Sequence, residues 1–361
     1  MGDAVTDLLD AIGSKETLVC IGPGGVGKTT SAAAVGLLLA RTGRNVCVLT
    51  IDPARRLASA LGLDRVGNEP VLASEDIPNY WVAMLDPKQT FDAMIARYSS
   101  SEAQEKEIVE NPVYRNLVTR LSGTQEYMAF ERLWELRESQ RFDTIIVDTP
   151  PAQAAIDFLH APSRLAGFLD NRVFKFMLKP PPLYLRPIAM ATRGLVKQIA
   201  SVVGADVVND TMSFFQAFSG IEEGFRERAL RTSELLASEA TSYLLVSSPA
   251  PDSLAAGSRM VELLQGIGHE VNSVLINRMT PTYASDPSDP HAPAQARADL
   301  ERLARMRAHE VLAIESWGLD LALGGFYFLE DLASDVSNLT ALEEVADAMQ
   351  RCALVPFAVP E

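Results

Sequence analysis

Short runs of apolar, often β-branched residues recur along the chain, separated by segments with the apolar spacing of amphipathic helices. These runs predict strands at 17–22, 45–51, 80–85, 143–148, 242–247, 271–276 and 326–329. Several runs are continuously apolar rather than alternating, which is typical of strands covered on both faces. Such strands, alternating with helices, predict an α/β fold with a doubly wound, mostly parallel sheet.

One long segment interrupts this alternation. Residues 152–240 contain helical patterns and the turn cluster "KPPPLYLRP", but no convincing strand. We therefore predict a single domain over 1–361 with an α-helical insertion at 152–240. Residues 280–293 have the composition of a loop, and the last helix is predicted to be capped by Ser337 or Asn338.

Composition narrows the classes of partner. The chain of 361 residues has a formal net charge of −15, which disfavours nucleic acid and anionic membranes because both attract basic surfaces. Its three cysteines lie far apart, so neither a disulfide framework nor a cysteine metal site is predicted. No apolar run approaches the roughly 20 residues of a membrane span. We expect a cytoplasmic protein.

A glycine-rich stretch, G-P-G-G-V-G-K-T from Gly22 to Thr29, lies between a predicted strand and a helix predicted over 29–41. It matches the pattern of a phosphate-binding loop, whose backbone N–H groups and following helix N-terminus face phosphate oxygens. Lys28 would reach the β- and γ-phosphates, and the Thr29 hydroxyl would ligate Mg²⁺. A tight glycine turn without a ligand is the alternative. The candidate nucleotide-binding residues are Gly24, Gly25, Val26, Gly27, Lys28, Thr29 and Thr30.

Two aspartates stand at or just after the ends of predicted strands. Asp148 ends the run "DTIIVD" and suits a carboxylate that holds a water ligand of Mg²⁺, although it could instead cap the next helix. Asp52, in "LTIDPARRL", could orient or deprotonate an attacking water, or act as a helix N-cap. The candidate catalytic residues are thus Asp52 and Lys28, and the candidate Mg²⁺ ligands are Thr29 and, through water, Asp148.

The motifs "GGVGKTT", "DPA", "VDTPP…FL" and "LINRM" together resemble those of the deviant Walker-A ATPases. They are most similar to the branch of arsenite-pump and tail-anchored-protein-targeting ATPases, also called anion-transporting ATPases. The resemblance covers nearly the whole chain and implies a P-loop NTPase fold, with ATP and Mg²⁺ as cofactors. It implies that Asp52 activates water in switch I, that Asp148 and Thr149 begin switch II, and that the insertion faces a client.

The resemblance also implies how the base is bound. Asn277 would hydrogen-bond the adenine edge, and Arg278 beside it is included among the nucleotide-binding candidates. The stretch from Glu330 to Asp335 would be the loop that lies against the base.

The chain departs from the family pattern at several positions. The family usually carries a signature lysine where this chain has Pro23, and that lysine reaches the phosphates of the partner in a dimer. Arg55 and Arg56 follow "DPA", where a histidine and a small polar residue are usual. One of them could replace the missing charge, or they could belong to a solvated helix start paired with acidic residues. The zinc-binding cysteine pair and the clustered arsenite-binding cysteines are missing.

We interpret the chain as an MgATP-binding and -hydrolysing dimeric switch whose helical subdomain engages a protein client or partner. The dimer would be a homodimer or a heterodimer with a paralogous ATPase. A hydrophobic client is suggested by apolar residues in the insertion, although we expect most of these to be core. They are Phe168, Leu169, Phe174, Phe176, Met177, Met190, Met212, Phe214, Phe215 and Phe218.

Three alternatives stay open. Pro23 motivates the first, a nucleotide-binding but weakly hydrolysing regulatory subunit of a heterodimer with a paralogous ATPase. A partitioning or cell-division-site ATPase of the same superfamily fits less well, because those proteins commonly rely on a basic surface or a basic C-terminal helix and the C-terminal stretch here is not basic. An arsenite-pump subunit fits less well for want of cysteines.

Overall fold

The protein is described from a computed structural model. The residues that the structure describes are 8–12, 14–52, 56–63, 66–120, 124–171, 205–283, 293–321, 325–332, 335–352 and 354–356.

In chain order the elements are α1 (Leu8–Ile12), β1 (Thr17–Ile21), α2 (Lys28–Arg41), β2 (Val46–Thr50), α3 (Arg56–Leu61), β3 (Val71–Leu72), β4 (Tyr80–Met84), α4 (Pro87–Tyr98), α5 (Glu102–Glu110), α6 (Pro112–Arg120), α7 (Thr124–Glu138), β5 (Thr144–Asp148), α8 (Ala152–Asp170), α9 (Ala205–Phe218), α10 (Glu222–Ala237), β6 (Thr241–Ser247), α11 (Pro251–Gly266), β7 (Ser273–Met279), α12 (Ala294–Asp320), β8 (Gly325–Glu330), α13 (Leu339–Gln350) and β9 (Leu354–Pro356).

These strands form one nine-stranded sheet in the order β3-β4-β2-β5-β1-β6-β7-β8-β9. Its central pairs are parallel, whereas β3–β4 and β8–β9 are antiparallel. Every residue of β1, β2, β5 and β6 is buried, as the continuous apolar runs indicated. The predicted α/β class is confirmed. The short edge strands β3 and β9 were not predicted.

The chain divides into two compact units. The first comprises Met1–Leu85, Glu135–Ile156 and Leu236–Glu361, and it contains every strand named above. The second comprises Asp86–Trp134 and Asp157–Leu235, and its described residues form helices. The single domain with an insertion at 152–240 stays a prediction.

In the first unit, α2 packs closely on the sheet. A side chain at Gly36 would place its Cβ 2.6 Å from Val48 and 2.9 Å from Tyr80, so only glycine lets the helix approach this far. The buried Tyr80 hydroxyl donates to the Ala33 carbonyl over 2.8 Å. This packing fixes the helix whose first turn carries Lys28 and Thr29.

The second unit has an aromatic core around Phe225, whose ring lies near those of Phe91, Tyr98, Tyr127 and Phe218. Of the apolar residues predicted in the insertion, Leu169, Phe214 and Phe218 are buried, Phe215 is partly buried, and Phe168 and Met212 are exposed. Phe174, Phe176, Met177 and Met190 lie outside the described residues.

The remaining predictions concern single elements. Asn338 caps α13, because its side chain accepts from the N–H of Ala341. None of the helices in the described part of the chain is long and apolar enough to cross a membrane.

Candidate functional site

The phosphate-loop motif joins the end of β1 to the first turn of α2. Gly27 is the N-cap, with a left-handed φ of 91° and no side-chain cap. A Cβ at Gly27 would lie 2.4 Å from Nδ2 of Asn277, and one at Gly22 (φ 152°) would lie 2.0 Å from the Val246 carbonyl oxygen. Both positions therefore require glycine. The helix N-terminus left without a side-chain cap is suited to an anion.

The candidate loop residues divide by exposure. Gly24 and Gly25 are exposed, so a ligand can approach the loop there. Val26 is buried, and Thr29 and Thr30 are partly buried.

Lys28 is buried, with only 7% of its surface exposed, and its Nζ donates to the Pro23 carbonyl oxygen over 2.8 Å. Burial lowers the pKa of Lys28, while the nearby carboxylate of Asp148 opposes that change. Pro23 has no N–H and no charge. Its backbone carbonyl can still accept a hydrogen bond, and the Lys28 ammonium is the donor.

Asp148, the last residue of β5, is fully buried beside the loop. Its Oδ2 accepts hydrogen bonds from the hydroxyls of Thr29, at 2.8 Å, and Thr50, at 2.9 Å. Its Oδ1 is buried and has no hydrogen-bond partner. Burial raises the pKa of Asp148 to about 6, and the two hydroxyls and Lys28 oppose the rise.

These oxygens fit a magnesium ion. Mg²⁺ prefers oxygen ligands and usually keeps several waters, using one or two carboxylates together with substrate phosphates. The Thr29 hydroxyl and the unpartnered Oδ1 of Asp148 supply oxygens of this kind. A group of three or more His, Cys, Asp or Glu side chains able to hold a metal does not occur among the described residues.

Asp52 lies just beyond β2, and its N–H donates to the Thr50 hydroxyl over 3.3 Å. Its Oδ2 is 3.5 Å from a terminal nitrogen of Arg56, in the first turn of α3. The charge of Asp52 contributes to the pKa values of both Lys28 and Asp148, which places it in electrostatic range of the loop. Arg55 lies outside the described residues.

Asn277 joins β7 to the phosphate loop. Its Nδ2 donates to the Val26 carbonyl over 2.8 Å, and its Oδ1 accepts from the N–H of Arg278 over 2.9 Å. Arg278 has a left-handed φ of 62°, where the register between β7 and β8 shifts. The contact of Asn277 with adenine stays a prediction.

The structure thus brings the loop, Asp148 and Asn277 together, with Asp52 in electrostatic range. A family model described as "Anion-transporting ATPase" matches residues 15–308 of the chain. The chain belongs to the anion-transporting ATPase family.

Curated relatives of this family member are also ATPases by name. "ATPase GET3" of Chaetomium globosum is 25% identical over 285 residues, covering 77% of this chain and 78% of the relative. "ATPase ASNA1 homolog" of Entamoeba dispar is 24% identical over 270 residues, covering 72% and 75%. "ATPase ASNA1 homolog 2" of Paramecium tetraurelia is 22% identical over 281 residues, covering 78% and 79%.

These matches confirm the family resemblance, and they confirm the prediction of an ATPase at the level of the family. The replacement of a signature lysine by Pro23 stays a prediction, as do the roles of the individual site residues.

Sequence reasoning missed Thr50 and two backbone carbonyls, which the structure places beside the candidate site. Thr50 shares an oxygen of Asp148 with Thr29, and a hydroxyl residue at the last position of a buried strand is the signal that could have found it. Thr149, predicted to begin switch II, donates its hydroxyl to the Cys20 carbonyl over 2.7 Å. The backbone carbonyls of Pro23 and Val26 could not be predicted as acceptors, because every residue has such a carbonyl.

Proposed function

We propose that this chain binds MgATP at the loop from Gly24 to Thr30 and hydrolyses it, acting as a cytoplasmic dimeric switch whose helical unit engages a protein client or partner. The observation that carries the proposal is the convergence on Asp148. Thr29, from the first turn of α2, and Thr50, from β2, donate to one buried oxygen of Asp148, while the other oxygen has no hydrogen-bond partner.

Each residue has a defined task in this proposal. Lys28 leaves the Pro23 carbonyl and binds the β- and γ-phosphates. The Thr29 hydroxyl ligates Mg²⁺ directly, and Asp148 holds a water of its shell. The metal, when bound, neutralises charge on the phosphates. Asp52 orients or deprotonates the attacking water.

Phosphate release tests the nucleotide part of the proposal. The wild-type chain should release phosphate from ATP only with Mg²⁺ present, and Thr29→Ala should reduce the rate and raise the Mg²⁺ concentration required. Thr211→Ala, in α9, is the control and should behave as wild type. Release that persists with a metal chelator, or is equal in Thr29→Ala, would contradict the assignment.

The client part of the proposal rests on the second unit. Phe168, Val207, Met212 and Leu230 are large apolar residues of this unit that are exposed. Adaptable apolar side chains suit the binding of hydrophobic segments. Hydrogen exchange with and without ATP should show its largest differences at 160–235 and around Asp52 and Asp148. Equal protection in both states would indicate a static helical unit.

A second candidate function is a weakly hydrolysing regulatory subunit of a heterodimer. Pro23 favours it, because the loop from Gly22 to Gly27 contains no cation. Slow turnover of the isolated chain, stimulated by a paralogue with lysine at this position, would support the heterodimer. Brisk turnover alone would support a homodimer. Sedimentation in a non-hydrolysable ATP analogue and in ADP would show whether closure accompanies ATP.

A further inference from the structure

A loose ion pair lies beside the phosphate loop. Oδ2 of Asp52 is 3.5 Å from a terminal nitrogen of Arg56, longer than the roughly 2.7–2.9 Å of a charge-assisted hydrogen bond. The Arg56 side chain is 61% exposed, whereas that of Asp52 is 16% exposed. A largely exposed side chain pairs with its partner only weakly. The guanidinium can therefore leave Asp52 for a better acceptor.

A short series of contacts connects Arg56 to the loop. Its partner Asp52 donates its backbone N–H to the Thr50 hydroxyl over 3.3 Å, and that hydroxyl donates to Asp148 over 2.9 Å. Asp148 also accepts from Thr29, the residue after Lys28. Lys28 is the side chain that the motif directs at the β- and γ-phosphates. Arg56 therefore lies beside the residues around which the terminal phosphate would bind.

Charge balance gives Arg56 a reason to move. The loop from Gly22 to Gly27 has no cationic side chain, whereas Asp52 and Asp148 bring two carboxylates to the same ends of the neighbouring strands β2 and β5. A triphosphate adds more negative charge at that place. A planar guanidinium can contact phosphate oxygens with two hydrogen bonds, a better arrangement than its present contact with Asp52.

We propose that Arg56 alternates between two acceptors, the carboxylate of Asp52 in the nucleotide-free protein and the terminal phosphate of ATP bound to the same chain. The proposal rests on the proposed function. The exchange releases Asp52 to orient water only when a γ-phosphate is present. With ADP, Arg56 stays paired with Asp52, so the chain distinguishes the two nucleotides through this residue.

Calorimetry with a non-hydrolysable ATP analogue and with ADP, both with Mg²⁺, tests the exchange. Arg56→Ala should lower the affinity for the ATP analogue by about tenfold or more, as expected for loss of a charge-assisted contact. Its affinity for ADP should stay within about twofold, which also shows that the variant is folded. The affinity of Arg56→Lys for the analogue should lie between those of wild type and Arg56→Ala, because an ammonium keeps the charge without the paired donors.

Arg231→Ala is the matched control, since Arg231 is 54% exposed and also pairs across one helical turn, with Glu227. It should leave both affinities unchanged. Equal affinities of wild type and Arg56→Ala for the analogue would overturn the inference, as would an equal loss for both nucleotides. A wild-type chain that binds neither nucleotide would overturn the proposed function and this inference with it.

Discussion

The Thr29 hydroxyl donates a 2.8 Å hydrogen bond to Oδ2 of Asp148, joining the first turn of α2 to the end of β5. The Thr50 hydroxyl donates to the same oxygen, and Oδ1 of Asp148 has no hydrogen-bond partner. One oxygen is thus held in place and the other is available to a cation or its water. In the proposed function, Mg²⁺ and the phosphates would meet this pair of oxygens at the end of β5.

The raised pKa of Asp148, about 6 against 3.8, has a consequence for stability. The folded state binds this proton more tightly than the unfolded chain, so the stability that Asp148 contributes is present below about pH 4 and is lost as pH rises through about 6. Asp148→Asn lacks this titration. Between about pH 4 and about pH 8, the free energy of unfolding of wild type should fall by up to about 3 kcal/mol relative to Asp148→Asn.

Denaturant unfolding of the nucleotide-free and metal-free proteins at both pH values measures that difference. Asp143→Asn, next to the opposite end of β5, is the control and should follow the pH dependence of wild type. Parallel curves for wild type and Asp148→Asn would contradict the proposed ionisation of Asp148.

Asp52→Asn should keep nucleotide binding and lose hydrolysis. An amide has nearly the same size but cannot take a proton from water or orient it as a carboxylate does. General-base assistance contributes about 10²–10⁴-fold, so turnover should fall by at least about 10²-fold. ATP affinity and phosphate release, measured on the same preparation, separate the two effects. Asp76→Asn, in an exposed loop, is the control and should hydrolyse ATP as wild type does. If turnover of Asp52→Asn stayed within a few-fold of wild type, Asp52 would be a helix cap only.

Pro23→Lys should raise the turnover of the isolated chain. Lysine brings the charge that proline lacks and retains the backbone carbonyl that accepts Lys28. Cations supplied across an interface can contribute about 10³–10⁵-fold in rate. A lysine that contacts the partner's phosphates only part of the time should therefore raise turnover at least about tenfold. The exposed Pro112→Lys controls for added charge. Unchanged turnover would mean that the loop needs no second cation from a partner chain. That result would favour Arg56 as the source of the positive charge.

Arg228 and Glu131 form a buried ion pair inside the helical unit, 3.1 Å apart and with side chains 4% and 0% exposed. Arg228 also lies over the Trp134 ring. Arg228→Ala takes away a cation that faces the buried carboxylate of Glu131, and breaking a buried pair costs about 3–5 kcal/mol of stability. Thermal unfolding measures this loss. Arg226→Ala breaks an exposed pair with Asp170 and should shift the transition little; an equal shift in both variants would contradict the argument.

Much of the fold and part of the candidate site could be predicted from local sequence patterns. Buried parallel strands leave continuous apolar runs, and a phosphate loop leaves its glycines and lysine within a few residues. The remaining contacts join distant parts of the chain. Asn277 meets Val26 across 251 positions, and a carbonyl acceptor such as that of Pro23 is common to all residue types. Strands of two or three residues, such as β3 and β9, are too short to show a pattern of apolar positions, so the sequence did not predict them.

Calorimetric titration of Lys28→Ala with MgATP tests the central claim most directly, because Lys28 is the buried cation of the loop. Loss of its charge-assisted contact, about 1.5–3 kcal/mol, predicts that ATP affinity falls at least about tenfold. Lys106→Ala, a 72% exposed lysine in α5, should bind as wild type. Unchanged ATP affinity in Lys28→Ala would contradict nucleotide binding at this loop.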